Sequence, residues 1–321
     1  MQKQTLAFLF ALFTGYFSFG QRINWTAFRL TEENEFFNIT HRGIDQYYTQ
    51  GMRFEFTYQT AERKLLEKLV IPIPNSSINY YSLSLSQQIY SPHETESYFF
   101  AGDMPYSGAL YFSESLESLS ASKQFRLTTR LHAGMIGPAA LVKNTQLLFH
   151  KIIKNDLAVG WDTQLRNDIY LNYSLKAERA LTKPNSLLRV EGKAEANIGT
   201  VLISAVPGFN FELGTWYNPS KKFSWQVFFR PEVRWVLYNA LLQGGIINQA
   251  TADEFYAQYF IKKIKPLVYS HSSGFQIRYN RLELFYRQVN LTREFTGQRP
   301  HYFSTIMFTF PIQSKLSNLK F

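Results

Sequence analysis

The chain has 321 residues, no cysteine and a formal charge of +10, which excludes a disulfide frame, a thiolate metal site and a cysteine nucleophile. A basic balance of this size invites nucleic acid, an anionic membrane surface or an acidic small molecule. The lysines and arginines are scattered rather than gathered in one stripe, so no nucleic-acid partner is expected, and phosphorylated lipid remains.

In chain order, Lys3, the apolar run Leu6–Phe13 and the stretch Ser18-Phe19-Gly20 have the layout of a secretory signal over residues 1–20. Cleavage there leaves one domain, 21–321, with no linker-like division. No later stretch offers the ~20 consecutive apolar residues of a membrane helix. Aromatics make up 17% of the chain, yet mean hydropathy is −0.22. Both together suit a barrel with aromatic girdles and a lipid-facing apolar wall around a polar lumen.

Period-2 alternation carries the fold, because successive strand side chains point to opposite faces. In 48–59, Tyr48, Met52, Phe54, Phe56 and Tyr58 share one face, with Thr49, Gly51, Arg53 and Glu55 on the other. Segments 125–135 and 224–237 split in the same way, and 187–195 presents Arg189, Glu191, Lys193 and Glu195 on its polar face. Comparable runs predict about twelve strands, near 22–32, 48–60, 79–90, 107–117, 124–135, 167–179, 186–197, 200–213, 223–239, 266–279, 281–290 and 302–311. The expected class is all-β, a transmembrane antiparallel barrel in the bacterial outer membrane, reached through the cleaved signal peptide. The terminal Phe321 agrees with it.

Alternation breaks at Pro138–Lys154, where Leu141, Leu148, Ile152 and Ile153 recur at helical spacing. This predicts a short helix near 138–154. A second, less regular helical stretch covers Ala250–Ile264. The first helix carries His150, a residue type suited to proton transfer near neutral pH, with Gln146 one turn earlier on the same face. Asp156 follows six positions later and could orient the imidazole as a dyad; equally, both read as ordinary polar residues of a loop helix and its end. Glu32, Glu33, Asn34 and Glu35 put oxygen ligands suited to Ca²⁺ at the end of the first strand, or simply a solvated acidic loop. Thr49 sits near them if the first two strands pair as a hairpin. Asp103 precedes a proline-containing turn, where aspartate is favoured for turn chemistry. No GxSxG, HExxH or phosphate-cradling glycine loop is present.

At these same positions the sequence resembles the lipid A 3-O-deacylase (LpxR-type) family of outer-membrane barrels. The matching stretches are Glu33-Asn34-Glu35 with Tyr47-Tyr48-Thr49-Gln50-Gly51, then Gln87-Gln88-Ile89-Tyr90-Ser91-Pro92 and Gly102-Asp103-Met104-Pro105-Tyr106-Ser107-Gly108. Gly137-Pro138, Gln146, His150-Lys151-Ile152-Ile153, Gly160-Trp161-Asp162 and Gln164 follow in order. The resemblance implies a twelve-stranded barrel whose site lies between the wall and a short helix at the extracellular end. It implies hydrolysis of the 3-linked acyl esters of lipid A, in lipopolysaccharide, with Ca²⁺ and a histidine base. Carried over by position, His150 is the base, Asp156 orients it, and Asn34, Glu35 and Thr49 line the calcium and oxyanion region. Three departures stand out. Asn34-Glu35 replaces the family's Asn-Asp, and Asp156 its Glu, each changing reach by one methylene; Met104 replaces a basic residue. The partners implied are lipid A and outer-membrane lipid, and no obligate protein partner is evident.

The competing readings are a non-catalytic barrel, whether a channel or a degenerate family member, and a soluble exported β-sandwich. Charged ladders of both signs favour a filled lumen over a wide pore.

Overall fold

The computed structural model describes residues 23–40, 47–61, 63, 65–74, 78–93, 103–120, 122–153, 159–184, 186–215, 222–247 and 263–312. The expected signal segment, Asp156, most of the second helical stretch and Phe321 lie outside these residues.

Twelve antiparallel strands close on themselves. They are β1 (Asn24–Asn34), β2 (Tyr47–Gln59), β3 (Ile78–Ser91), β4 (Ser107–Ser120), β5 (Phe125–Ile136), β6 (Asp168–Ala180), β7 (Leu188–Gly199), β8 (Leu202–Gly214), β9 (Phe223–Asn239), β10 (Leu267–Tyr279), β11 (Leu282–Leu291) and β12 (His301–Pro311). Each strand pairs with its sequence neighbour, and β1 pairs with β12 from Ala27↔Pro311 to Asn34↔Ser304. Closure leaves no unpaired edge, which is the condition for a sheet to survive in hydrocarbon.

Register assigns the two faces. On the face that carries the charged residues, bonds reach past an intervening strand across the interior: Lys193 on β7 reaches Glu232 on β9 at 2.5 Å, and Asn210 on β8 donates to Glu178 on β6 at 3.0 Å. Glu178 also pairs with Lys176 at 3.0 Å and Arg126 at 3.4 Å, and Arg230 with Glu212 at 2.7 Å. The alternate residues, among them Leu171, Leu175, Phe209, Phe211, Val227, Phe229, Val233 and Phe308, are exposed on the outside. Exposed Trp225 and Trp235 stand ten residues apart on β9, roughly 34 Å along the strand. At a tilt of about 45° that spans the ~25 Å apolar band of an outer-membrane barrel. The end with the longer connections, holding 137–167 and 240–266, is the extracellular one by the same rule.

Two features depart from the alternation. A bulge between Tyr48 and Gln50 shifts the β2–β3 register. It turns Tyr48 from the expected apolar face into the lumen, where its hydroxyl donates to Glu33 at 2.5 Å. The β2–β3 connection, at the periplasmic end, does not project away. Its amides at Ile71 and Ile73 donate to Thr129 and Ser118, both at 3.0 Å, on outward positions of β5 and β4. Glu67 and outward Glu114 are both buried, and each accepts from Tyr58, at 3.2 and 3.1 Å. The strap thus covers polar outward side chains that lipid would otherwise meet.

Candidate active site on the outer wall

The predicted helix forms as a 3-10 turn, Pro138–Ala140, followed by α1 (Val142–Ile153). Gly137 supplies the entry bend with φ 84°, and a Cβ there would stand 2.6 Å from the Arg166 carbonyl oxygen. Pro138 then starts the turn with its φ already set.

Contacts put this unit on the outside of the barrel. Gln87, on the outward face of β3, donates to the Ala140 carbonyl at 3.0 Å. Outward Gly108 on β4 lies so close to α1 that a Cβ would meet Val142 Cγ2 at 2.5 Å. Ile89, Tyr106, Ala140, Val142 and Trp161 close the seam as one buried cluster. Along α1, Val142, Gln146 and His150 recur every fourth residue and are all buried, whereas Leu148 is exposed. The imidazole therefore lies on the stripe that faces the wall. Gln146 Oε1 accepts from Trp161 Nε1 at 2.7 Å, while its Nε2 is buried without a partner.

The β1–β2 hairpin brings the other candidates to the same end of the barrel. Asn34 pairs with Gln50 and Glu33 with Gly51, and Thr49 is the extra residue of the bulge beside them. Glu35 and Thr49 are buried. The four-residue acidic run does not act as one cluster. Glu33 points into the lumen, bonded to Tyr48, Thr305 and Arg287, whereas Glu32 takes the outward register and accepts from Gln50 Nε2 at 2.8 Å. The outward Glu32–Gln50 pair escaped the sequence reading, because alternation alone gave no cause for polar side chains there.

Oxygen chemistry tests the fit of a calcium ion. Thr49 Oγ1 and Glu32 Oε2 are buried with no hydrogen-bond partner, and Asn34 Oδ1 accepts only the Phe36 amide, at 2.7 Å, among its described bonds. A hard cation with six to eight oxygen ligands suits such atoms. Among the described residues no three His, Asp or Glu side chains converge to hold a metal. Ligation would therefore draw on the Asn34 amide, the Thr49 hydroxyl, the Glu32 carboxylate and main-chain carbonyls, with Glu35 added by the family resemblance.

Two further expectations resolve. Asp103 is a turn residue, as its type suggested: its carboxylate accepts from His93 N at 2.6 Å and Met104 N at 2.8 Å. Met104 is buried with Tyr47, Leu165, Leu242 and Phe295, so this position packs a core here rather than meeting a phosphate. The lumen holds a cavity of about 320 Å³ lined by Tyr47, Tyr90, Arg234, Glu294 and His301 among others. His150, Asn34, Glu35 and Thr49 do not line it.

Residues 6–312 match the family described as outer membrane protein LpxR. The fold is similar to that of LpxR from Salmonella typhimurium, with a TM-score of 0.69 at 18% identity over 88% of this chain and 99% of that one. The beta domain of the Bordetella autotransporter BrkA is more distant, with a TM-score of 0.46 at 10% identity over 89% of this chain and 97% of that one. No curated protein matches the sequence.

Proposed function

Because this chain belongs to the LpxR family of outer-membrane proteins, we propose that it is a hydrolase that removes the 3-linked acyl chain of lipid A. The observation that carries this reading is the position of His150, buried on the wall-facing stripe of a helix packed against the outside of the barrel. A substrate that never leaves the membrane can reach that surface from the side, whereas the lumen is crossed by ion pairs.

His150 takes a proton from water, and the oxygen so activated adds to the ester carbonyl. The same imidazole then returns the proton to the departing sugar oxygen, so the products are a free fatty acid and a 3-hydroxyl. Asp156, carried over from the family pattern, is assigned the role of orienting the ring in the productive tautomer. Asn34, Glu35 and Thr49 hold the cation, which when bound supplies positive charge at the developing oxyanion.

The test is mass spectrometry of lipid A incubated with the purified barrel. His150→Ala is expected to abolish release of the 3-linked acyl group while the protein keeps its heat-modifiable migration, and chelation of calcium is expected to do the same. Full release by the variant removes His150 from the chemistry; full release under chelation removes the cation. The competing non-catalytic reading draws on the lack of three converging His, Asp or Glu side chains among the described residues. It predicts unchanged lipid A in every arm.

A further inference from the structure

Besides α1, a second segment lies on the outside of the barrel. After β1 the chain does not leave the barrel but folds back across the outside of β11 and β12. Tyr286 Oη donates to the Phe37 carbonyl at 3.0 Å, Ile39 N donates to Gln288 Oε1 at 3.3 Å, and Gln288 Nε2 also bonds Thr40. Tyr286 and Gln288 hold outward register positions on β11, opposite Ile306 and Ser304, yet both are buried because this segment covers them. Its own turn is fixed by Asn38 N to Glu35 O at 2.9 Å and Thr40 N to Asn38 Oδ1 at 3.1 Å.

A backbone pinned at this many points nevertheless displays Phe36 at 84% and Ile39 at 76% exposure, above every large apolar side chain of the barrel strands. Between this strap over β11–β12 and α1 over β3–β4 lie β1 and β2. Four strand spacings separate the two walls by roughly 19 Å, and subtracting the helix and strap radii leaves, among the described residues, a groove about 10 Å wide. The floor carries Asn34 and Gln50 at its extracellular end, Glu32 beside Met52 at the next level, and Leu30 beside Phe54 below them. Polar above and apolar below is the order in which an acylated headgroup presents itself to the wall.

We propose that Phe36 and Ile39 set acyl-chain specificity: the chain to be cleaved runs down this groove over Met52 and Phe54, with the two exposed side chains as its flank. The proposal rests on the deacylase reading. Phe36 follows the proposed cation residues Asn34 and Glu35 directly, so an ester carbonyl held by those residues places its chain against the strap. A bulk-lipid anchor needs exposed apolar side chains too, but gives no reason for the many bonds that fix the strap beside the proposed ester site.

The experiment compares the full-length protein with Phe36→Ser/Ile39→Ser on two synthetic glucosamine phosphates bearing a short or a long 3-linked acyl chain in mixed micelles. Loss of the flank is expected to lower kcat/KM for the long-chain ester about tenfold, through KM, and to leave the short-chain ester unchanged. The apolar replacement Phe36→Leu/Ile39→Leu should restore long-chain turnover. An equal loss on both esters, or no loss on the long one, overturns the flank while the deacylase reading stands. A wild-type protein inactive on both esters sinks the deacylase reading itself, and the flank with it. Heat-modifiable migration of each variant confirms that the barrel has folded.

Discussion

The Trp161 indole nitrogen meets the Gln146 carbonyl oxygen at 2.7 Å, with both side chains 2% exposed. Because His150 sits one turn beyond Gln146, this bond fixes the angle at which the imidazole meets the wall. Removing it by Trp161→Phe strands a buried carbonyl, at a cost of about 1–3 kcal/mol. Turnover should fall about tenfold or more, since small misplacements at a reacting centre cost up to ~100-fold. Urea unfolding in micelles and a lipid A release assay check the two halves. Full turnover in the variant would mean that the ring is located by other contacts. The sequence shows the residues of this pair but not their meeting, which depends on how residues 159–165 return to the wall. The same holds for Thr49, Asn34 and Glu32. Their types are legible, but the bulge that inserts Thr49 and the register that separates Glu32 from Glu33 are tertiary facts.

At the scale of elements, α1 depends on what β4 leaves out. Gly108 has no side chain where a Cβ would fall 2.5–2.6 Å from Val142 and 3.4 Å from Ala140, so any larger residue must push the helix from the wall. Gly108→Val is therefore expected to keep the barrel folded, to expose α1 to limited proteolysis and to lower lipid A deacylation by more than tenfold. Normal proteolytic resistance of α1 would show that the helix tolerates the shift. The strands themselves were legible to within two or three residues, β9 at both ends, because lipid on one side and a charged lumen on the other punish any slip by one position. The twelve-residue α1 was legible from its periodicity. The four-residue α2 (Ala240–Gln243) was not, being little more than one turn. Nor were the two straps, since what they cover lies on distant strands.

Across the whole molecule, the outer wall carries the proposed chemistry and the lumen carries stability. Arg126, Lys176 and Asn210 all converge on Glu178, which is 5% exposed, and Asn210 continues to Glu191 at 3.1 Å. Replacing Glu178 with Ala leaves two cations facing each other without their shared partner. Breaking one side of a buried ion pair costs about 3–5 kcal/mol. Lys176 and Arg126 keep 23% and 32% exposure, so water offsets part of this and the expected loss is roughly 2 kcal/mol. Unfolding in micelles should show that loss, and lipid A release at a temperature where the variant is folded should not change, because the ladder lies inside the wall and α1 outside it. A matching fall in catalysis would mean that the two sides of the barrel are coupled, and the separation of roles between lumen and lipid face would have to be abandoned.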